Sequence, residues 1–315
     1  MEILFVTDGS CDRTPDLIRD SQVPQGVRLS LYHKDARNGK IAAVERIMEF
    51  VESEITIFTD ANTDVNPEAI YNIVRHYQNP KVGAVAGQKR IQQADADDAS
   101  SAGEGIYWRY ENTLKKWDSE LYSVVGGAGE LFSIRTNLYQ PVEKDSIIED
   151  FVMTMRIAQR GYVVRYEPEA EAVETSSASV GEELKRKIRI AAGGLQAIVR
   201  LAPLLNIFKH GILTFQYVSH RVLRWTIAPL ALPVILILNI LLAMQGSTFY
   251  QGVLIAQIAF YVFASFGYLM EKRKMKIKAF FVPYYFCVMN YAVYRGFGRF
   301  ISGSQSVLWE RAKRA

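Results

Sequence analysis

The chain has 315 residues and a net charge of +4, a length that suits two domains or one domain with a membrane part. Residues 181–315 hold 18 Lys and Arg against 4 Asp and Glu, and residues 1–180 hold 19 against 29. Basic residues set beside apolar runs point to a cytoplasmic membrane surface rather than to nucleic acid as partner, and Cys11 and Cys287 fit no metal spacing and imply no disulfide framework. In chain order, Met1 leads straight into Glu2–Thr7, which reads as a buried strand, so no signal peptide is expected. Asp8-Gly9-Ser10-Cys11-Asp12 follows, an acid at a strand end with a turn glycine and two side chains able to cap the next helix. An Asp there can accept an N–H from a nucleobase; a plain capped turn is the alternative. Val27–Tyr32 reads as a second strand and Ile41–Ser53 as a helix. Lys40 stands where that helix begins, and a cation beside helix N–H groups makes a place for phosphates. A solvated turn lysine is the other reading.

Ile55–Phe58 is a short β-branched run that stops at Asp60, Asn62 and Asp64. Oxygen ligands at i, i+2 and i+4 past a strand end can converge on Mg²⁺ or Mn²⁺, which would hold a diphosphate. The alternative is an Asx-rich turn capping the helix that opens near Pro67. Glu68–Tyr77 reads as a helix and Val82–Ala86 as a strand. Residues 92–105 are small and polar and suggest a mobile loop or lid. Ile106–Ser119 is an amphipathic helix whose aromatics serve core packing or sugar stacking. The run Gly126-Gly127-Ala128-Gly129-Glu130 lets backbone approach a ligand closely. Glu149 and Asp150 open a helix that Gly161 ends; they are either dipole partners or a general base facing a hydroxyl. Beyond a basic helix, Glu182–Arg200, the interrupted stretch 201–224 reads as interfacial helices. Trp225–Gln245 and Phe249–Met270 are each long and uncharged enough to span. A basic loop, Glu271–Lys278, places their far end in the cytoplasm. The path of 279–301 is left open, with a basic tail, Trp309–Arg314, after it.

The ordered set D-G-S-x-D-R-T at 8–14, N-G-K at 38–40, T-D-A-N-T at 59–63, G-G-A-G-E-L at 126–131 and E-D at 149–150 resembles the membrane-bound family 2 glycosyltransferases, the group of cellulose, chitin, hyaluronan and poly-N-acetylglucosamine synthases. The resemblance implies a GT-A mixed α/β sheet over 1–195, interfacial amphipathic helices over 196–224 and a transmembrane region over 225–315. It implies an inverting transferase that moves a sugar from a nucleotide-diphosphate sugar, UDP-linked above all, to a saccharide or lipid-linked acceptor. By that carry-over Asp8, Asp12, Lys40, Asp60 and Arg189 bind the nucleotide sugar. Asp60, Asn62 and Asp64 hold Mg²⁺ or Mn²⁺. Gly127, Ala128, Gly129 and Glu130 line the acceptor site, and Asp150 is the base with Glu149 beside it. The setting is the cell (inner) membrane, multi-pass, with the catalytic domain cytoplasmic and room for a membrane partner subunit. Three departures stand out. Asn62 replaces the usual metal-side Asp, so that an Asn62→Asp change is expected to tighten metal binding by adding charge. The family's Q-x-x-R-W keeps only Arg189, between Arg186 and Ile190. The chain also opens at what resembles the family's second strand, so a preceding first strand is expected. A noncatalytic membrane subunit of degenerate transferase fold is the competing reading. A transporter is disfavoured because the two spans carry no ionisable residue.

Overall fold

The computed structural model describes residues 1–92, 99–175, 179–273 and 277–304. The first part is a parallel pair, β1 (Glu2–Asp8) with β2 (Arg28–Lys34), carrying α1 (Thr14–Arg19) between them and α2 (Lys40–Met48) after them. The main sheet has five strands: β3 (Ile55–Thr59), β4 (Asp64–Val65), β5 (Val82–Gln92), β6 (Leu131–Arg135) and β7 (Val163–Thr175), in the order β3-β6-β5-β7-β4. It is mixed, as expected: β6 runs antiparallel to β3 and β5, and β5 runs parallel to β7. The C-terminal ends of β3, β5 and β7 and the start of β6 therefore share one edge. No ladder joins β1 to β3 among the described residues.

Side chains alternate across the sheet as the pleat requires. Ala84, Phe132, Ile134 and Val164 face one core with Ile41 of α2, α5 (Glu149–Gln159) and residues 197–225. Val85, Leu131 and Val163 face a second core under α3 (Ala69–Val74). Strands β6 and β7 were not distinguished in the sequence, because their small, acidic and aromatic residues lack a continuous apolar run. Helix α4 (Ala99–Leu121) begins inside the stretch expected to be a loop. The rest of that lid expectation, 93–98, lies outside the described residues, as do positions 274–276 of the basic loop and the tail after residue 304.

Helix α6 (Val180–Arg200) leads into α7 (Ile207–His210), α8 (Ile212–Tyr217), a π-helical turn at Val218–Val222 and α9 (Leu223–Trp225). Phe208 is 99% exposed and Ile207, Ile212 and Phe215 are exposed beside it, an apolar surface of the kind expected for interfacial helices. Next come α10 (Ile227–Met244) and α11 (Thr248–Lys272), the two helices long and apolar enough to cross a membrane; only 17% and 11% of their apolar windows are buried. That exposure separates them from the core helices of a globular domain. Helix α12 (Lys278–Ser302) folds back onto α6, where a Cβ on Gly296 would stand 2.6 Å from that of Ala191. It also touches α11, where a Cβ on Gly267 would meet the Phe280 carbonyl at 2.3 Å. The segment whose path was open is thus one helix with two small-residue contacts.

Candidate active site

Strand β3 delivers Asp60 to the shared sheet edge. There the chain turns, with Thr63 N–H on the Asp60 carbonyl at 3.1 Å and Thr59 Oγ1 donating to the Glu130 carbonyl at 3.0 Å. The expected i, i+2, i+4 convergence does not form. Asp64 is drawn into β4, opposite Val173, and is exposed, because the short edge strand takes its backbone into the ladder. Asn62 turns its Nδ2 to Glu174 Oε1 at 3.1 Å. Among the described residues no three His, Cys, Asp or Glu side chains gather as a ready metal site.

Asp8 stands at the end of β1 and accepts the N–H groups of Asn38 and Gly39 at 2.8 and 2.6 Å. Its Oδ1 is buried without a hydrogen bond, 3.9 Å from Arg46 Nη1. The N–H groups ahead of α2 are thereby engaged by Asp8, and Lys40 works apart from them. Its Nζ reaches across to Asp60 Oδ1 at 2.9 Å and Glu149 Oε1 at 3.1 Å. Burial alone would lower the Lys40 pKa, but Glu149, Asp60 and Asp150 together raise it above the usual lysine value, so the ammonium is firmly charged. Asp12 stays in the turn before α1 and takes the Thr14 N–H at 3.1 Å.

The glycine run fits against α5. Gly126 has φ +90°, and a Cβ there would lie 2.1 Å from the Phe151 ring; only glycine tolerates both conditions. Gly127 N–H donates to Thr154 Oγ1 at 2.8 Å. At Gly129 a Cβ would stand 3.2 Å from Lys40 Nζ and 3.3 Å from Asp150 Oδ2. A side chain here would crowd both groups, and Asp150 is half-buried. Burial and the neighbouring Glu149 push the Asp150 carboxyl up to about 7, against the pull of Lys40. Such a value suits a base near neutral pH. Arg189 lies behind the start of α5, with Nη2 on the Ile147 carbonyl at 3.4 Å. Glu130, expected to face an acceptor, is instead paired with Lys89. Burial would raise its carboxyl, and Lys89 holds it down to about 2.

Two clusters went unrecognised in the sequence. Lys89, 2% exposed, bridges Glu130 and Glu174, three residues far apart in the chain that only the β5–β6–β7 pairing brings together. On α4, Glu111 takes Arg221 at 3.2 Å and also Arg224. Asp118 takes His220 Nδ1 at 2.8 Å and Gln216 Nε2 at 2.9 Å. Burial opposes the charge on Glu111, yet Arg224 and Arg221 keep its pKa well below the carboxylate range. A signal existed here: Glu111, Lys115 and Asp118 recur on one face of a helix otherwise lined with aromatics. Arg221 also donates to the Val125 carbonyl at 3.3 Å, just ahead of the glycine run.

The sequence profile of glycosyl transferase family group 2 matches residues 55–294. Poly-beta-1,6-N-acetyl-D-glucosamine synthase of Staphylococcus aureus is 25% identical over 206 residues, 63% of this chain and 48% of that protein. Its counterpart in Staphylococcus epidermidis is 24% identical over the same extent. The chain spans about half the length of the curated relatives it matches. Among solved structures, a mannosyltransferase of Pyrobaculum calidifontis in complex with GDP-Man and Mn²⁺ superposes with a TM-score of 0.68 at 20% identity, covering 96% of this chain and 79% of that one. The donor set of this chain fits a divalent ion of the kind that keeps waters and phosphate oxygens as ligands and takes few from protein. Asp60 offers a carboxylate and Asn62 an amide oxygen, since its nitrogen is turned to Glu174. After burial, which raises the Asp60 pKa most, and Lys40, which lowers it, the carboxylates of Glu130 and Glu174 add to the rise, marking a spot rich in negative charge.

Proposed function

The chain belongs to glycosyl transferase family group 2 and is a glycosyltransferase with a GT-A-like fold, and from that premise we propose that it moves a sugar, with inversion, from a UDP-linked donor to a saccharide or lipid-linked acceptor at the cytoplasmic face of the cell membrane. The observation that carries this reading is the bridge made by Lys40: its ammonium joins Asp60 at 2.9 Å to Glu149 at 3.1 Å and lies beside Gly129 and Asp150. The donor-side turn, the glycine run and the E-D pair meet at one cation.

In this reading Asp8 and the adjoining backbone receive the base, and Asp60 with Lys40 receives the ribose and diphosphate end. An acceptor hydroxyl enters over Gly129. Asp150 takes its proton as the oxygen bonds to the anomeric carbon, and the bond from that carbon to the diphosphate oxygen breaks, with the electron pair leaving on the nucleoside diphosphate. Asp60 and Asn62 would hold Mg²⁺ or Mn²⁺, which would supply charge compensation for that diphosphate. Helices α10 and α11 anchor the enzyme in the bilayer, and the basic residues at the end of α11 orient it. UDP-N-acetylglucosamine is the first donor to try, because the curated relatives are named for that sugar's polymer; GDP-mannose is the second, from the solved structure. A noncatalytic subunit is disfavoured by the room that Gly129 leaves beside Asp150 and by that carboxyl's raised pKa. The test uses the full chain in lipid nanodiscs with each donor and Mn²⁺. Nucleoside diphosphate is released from one donor and its release stops with chelator; release from neither, in extracts containing native acceptors, refutes the proposal.

A further inference from the structure

We propose that Glu174 is a positioning residue for the diphosphate–cation site, and that it makes Asn rather than Asp the correct residue at position 62. The inference rests on the reading that Asp60 and Asn62 serve a nucleoside diphosphate and its cation. Glu174 is the penultimate residue of β7, at the shared sheet edge, and is 2% exposed. Its Oε1 accepts Asn62 Nδ2 at 3.1 Å and Thr63 Oγ1 at 3.3 Å, and its Oε2 accepts Lys89 Nζ at 2.6 Å. A carboxylate has no proton to give, so the side it shows Asn62 takes only a donor. The amide of Asn62 is thereby fixed in one sense, with its nitrogen toward Glu174 and its oxygen left as the free ligand atom. An amide held in this way presents an oxygen ligand without adding charge to a place that already holds Asp60, Glu130 and Glu174.

The pairing reverses the expectation drawn from the motif alone. With Asn62→Asp, a second carboxylate would face Glu174 at hydrogen-bond distance, and Lys89 is already shared between Glu130 and Glu174. Two carboxylates so placed repel each other and have no proton to share as a hydrogen bond. The new side chain turns away from Glu174, and the ligand is lost. Glu174→Gln is harmful for a different reason. Lys89 claims the amide oxygen of the new Gln, its NH₂ then faces Asn62, and Asn62 must flip to present its oxygen inward and its nitrogen to the cation. The double change restores complementarity: the Gln NH₂ donates to one oxygen of the new carboxylate and leaves the other for the cation.

The experiment measures Mn²⁺ binding by electron paramagnetic resonance on the full chain in detergent, with UDP or GDP present, for the parent, Asn62→Asp, Glu174→Gln and the double variant. Each single change weakens Mn²⁺ binding by about 10- to 100-fold, the range for loss of an orienting partner, and the double variant returns to the parent's affinity or better. A merely structural role for Glu174 would not invert the sign of Asn62→Asp between the two backgrounds. Tightening by Asn62→Asp to the same degree with Glu174 and with Gln at that position overturns the inference. Failure of every variant, parent included, to bind Mn²⁺ with either nucleotide overturns it together with the functional reading beneath it. Should Asn62→Asp fail to fold, the comparison of Glu174→Gln with the parent decides, and an unchanged Mn²⁺ affinity in Glu174→Gln overturns the inference.

Discussion

Replacing Asp150 by Asn should lower activity and raise stability together. The carboxyl is moved from 3.8 to about 7 by burial and by Glu149. At 1.36 kcal/mol per pKa unit this is on the order of 4 kcal/mol spent in keeping the group ionised, and about 2 kcal/mol once its partial contact with solvent is allowed for. The sign follows from proton counts. Between about 4 and 7 the folded chain binds more protons here than the unfolded chain, so the stabilising contribution is complete below 3.8 and is lost as pH rises through about 7. Asn is close in size and never charges, so at pH 8 the variant should unfold about 2 kcal/mol less readily, and the fall in stability between pH 5 and 8 should flatten. If Asp150 is the base, transfer should drop about 10²–10⁴-fold while nucleotide binding persists. The assays are thermal unfolding at pH 5 and pH 8 and donor turnover on the same preparations. Normal turnover, or a variant less stable at pH 8 than the parent, would refute the assignment of a strained base.

Two further changes probe the surroundings of that group. Glu149→Gln removes a like charge from beside Asp150, so the acid limb of the pH–rate profile should move to lower pH; an unmoved or raised limb would show that Glu149 does not tune the base. Gly126→Ala meets both a positive φ and the Phe151 ring, and should destabilise the chain by on the order of 3 kcal/mol, read as a lowered Tm with loss of turnover; a change under about 0.5 kcal/mol, the level of an unremarkable surface site, would contradict the contact described.

The motifs at strand ends were legible because each consists of local chemistry: an acid after an apolar run, a glycine run, or two acids opening a helix. Asp8, Lys40, Asp60 and Asp150 could be singled out on that basis. Their mutual arrangement could not be read, and Asp64 shows why: a two-residue edge strand pairs with Val173 and removes the side chain from the cluster that its spacing suggested. Lys89 and Glu174 were hidden for the same reason. Nothing in the sequence near either residue reports a partner lying across a sheet whose strands pair out of chain order. The apolar helices were plain from composition, whereas the return of α12 onto α6 depends on small residues, Gly296 and Ala191, whose contact has no periodic signature.

The ionic face of α4 bears on how this enzyme can be handled. A soluble piece ending near residue 195, where the apolar content begins to climb, would lack Gln216, His220, Arg221 and Arg224. Glu111 and Asp118, 3% and 4% exposed in the intact chain, would then be bared without their counterions, and Phe151 would lose the Tyr217 and Trp225 rings that pack on it. A cut ahead of α10 and α11 should therefore fall after Trp225, and the shortest well-behaved fragment would carry the exposed apolar side chains of Ile207, Phe208, Ile212 and Phe215 into the test tube.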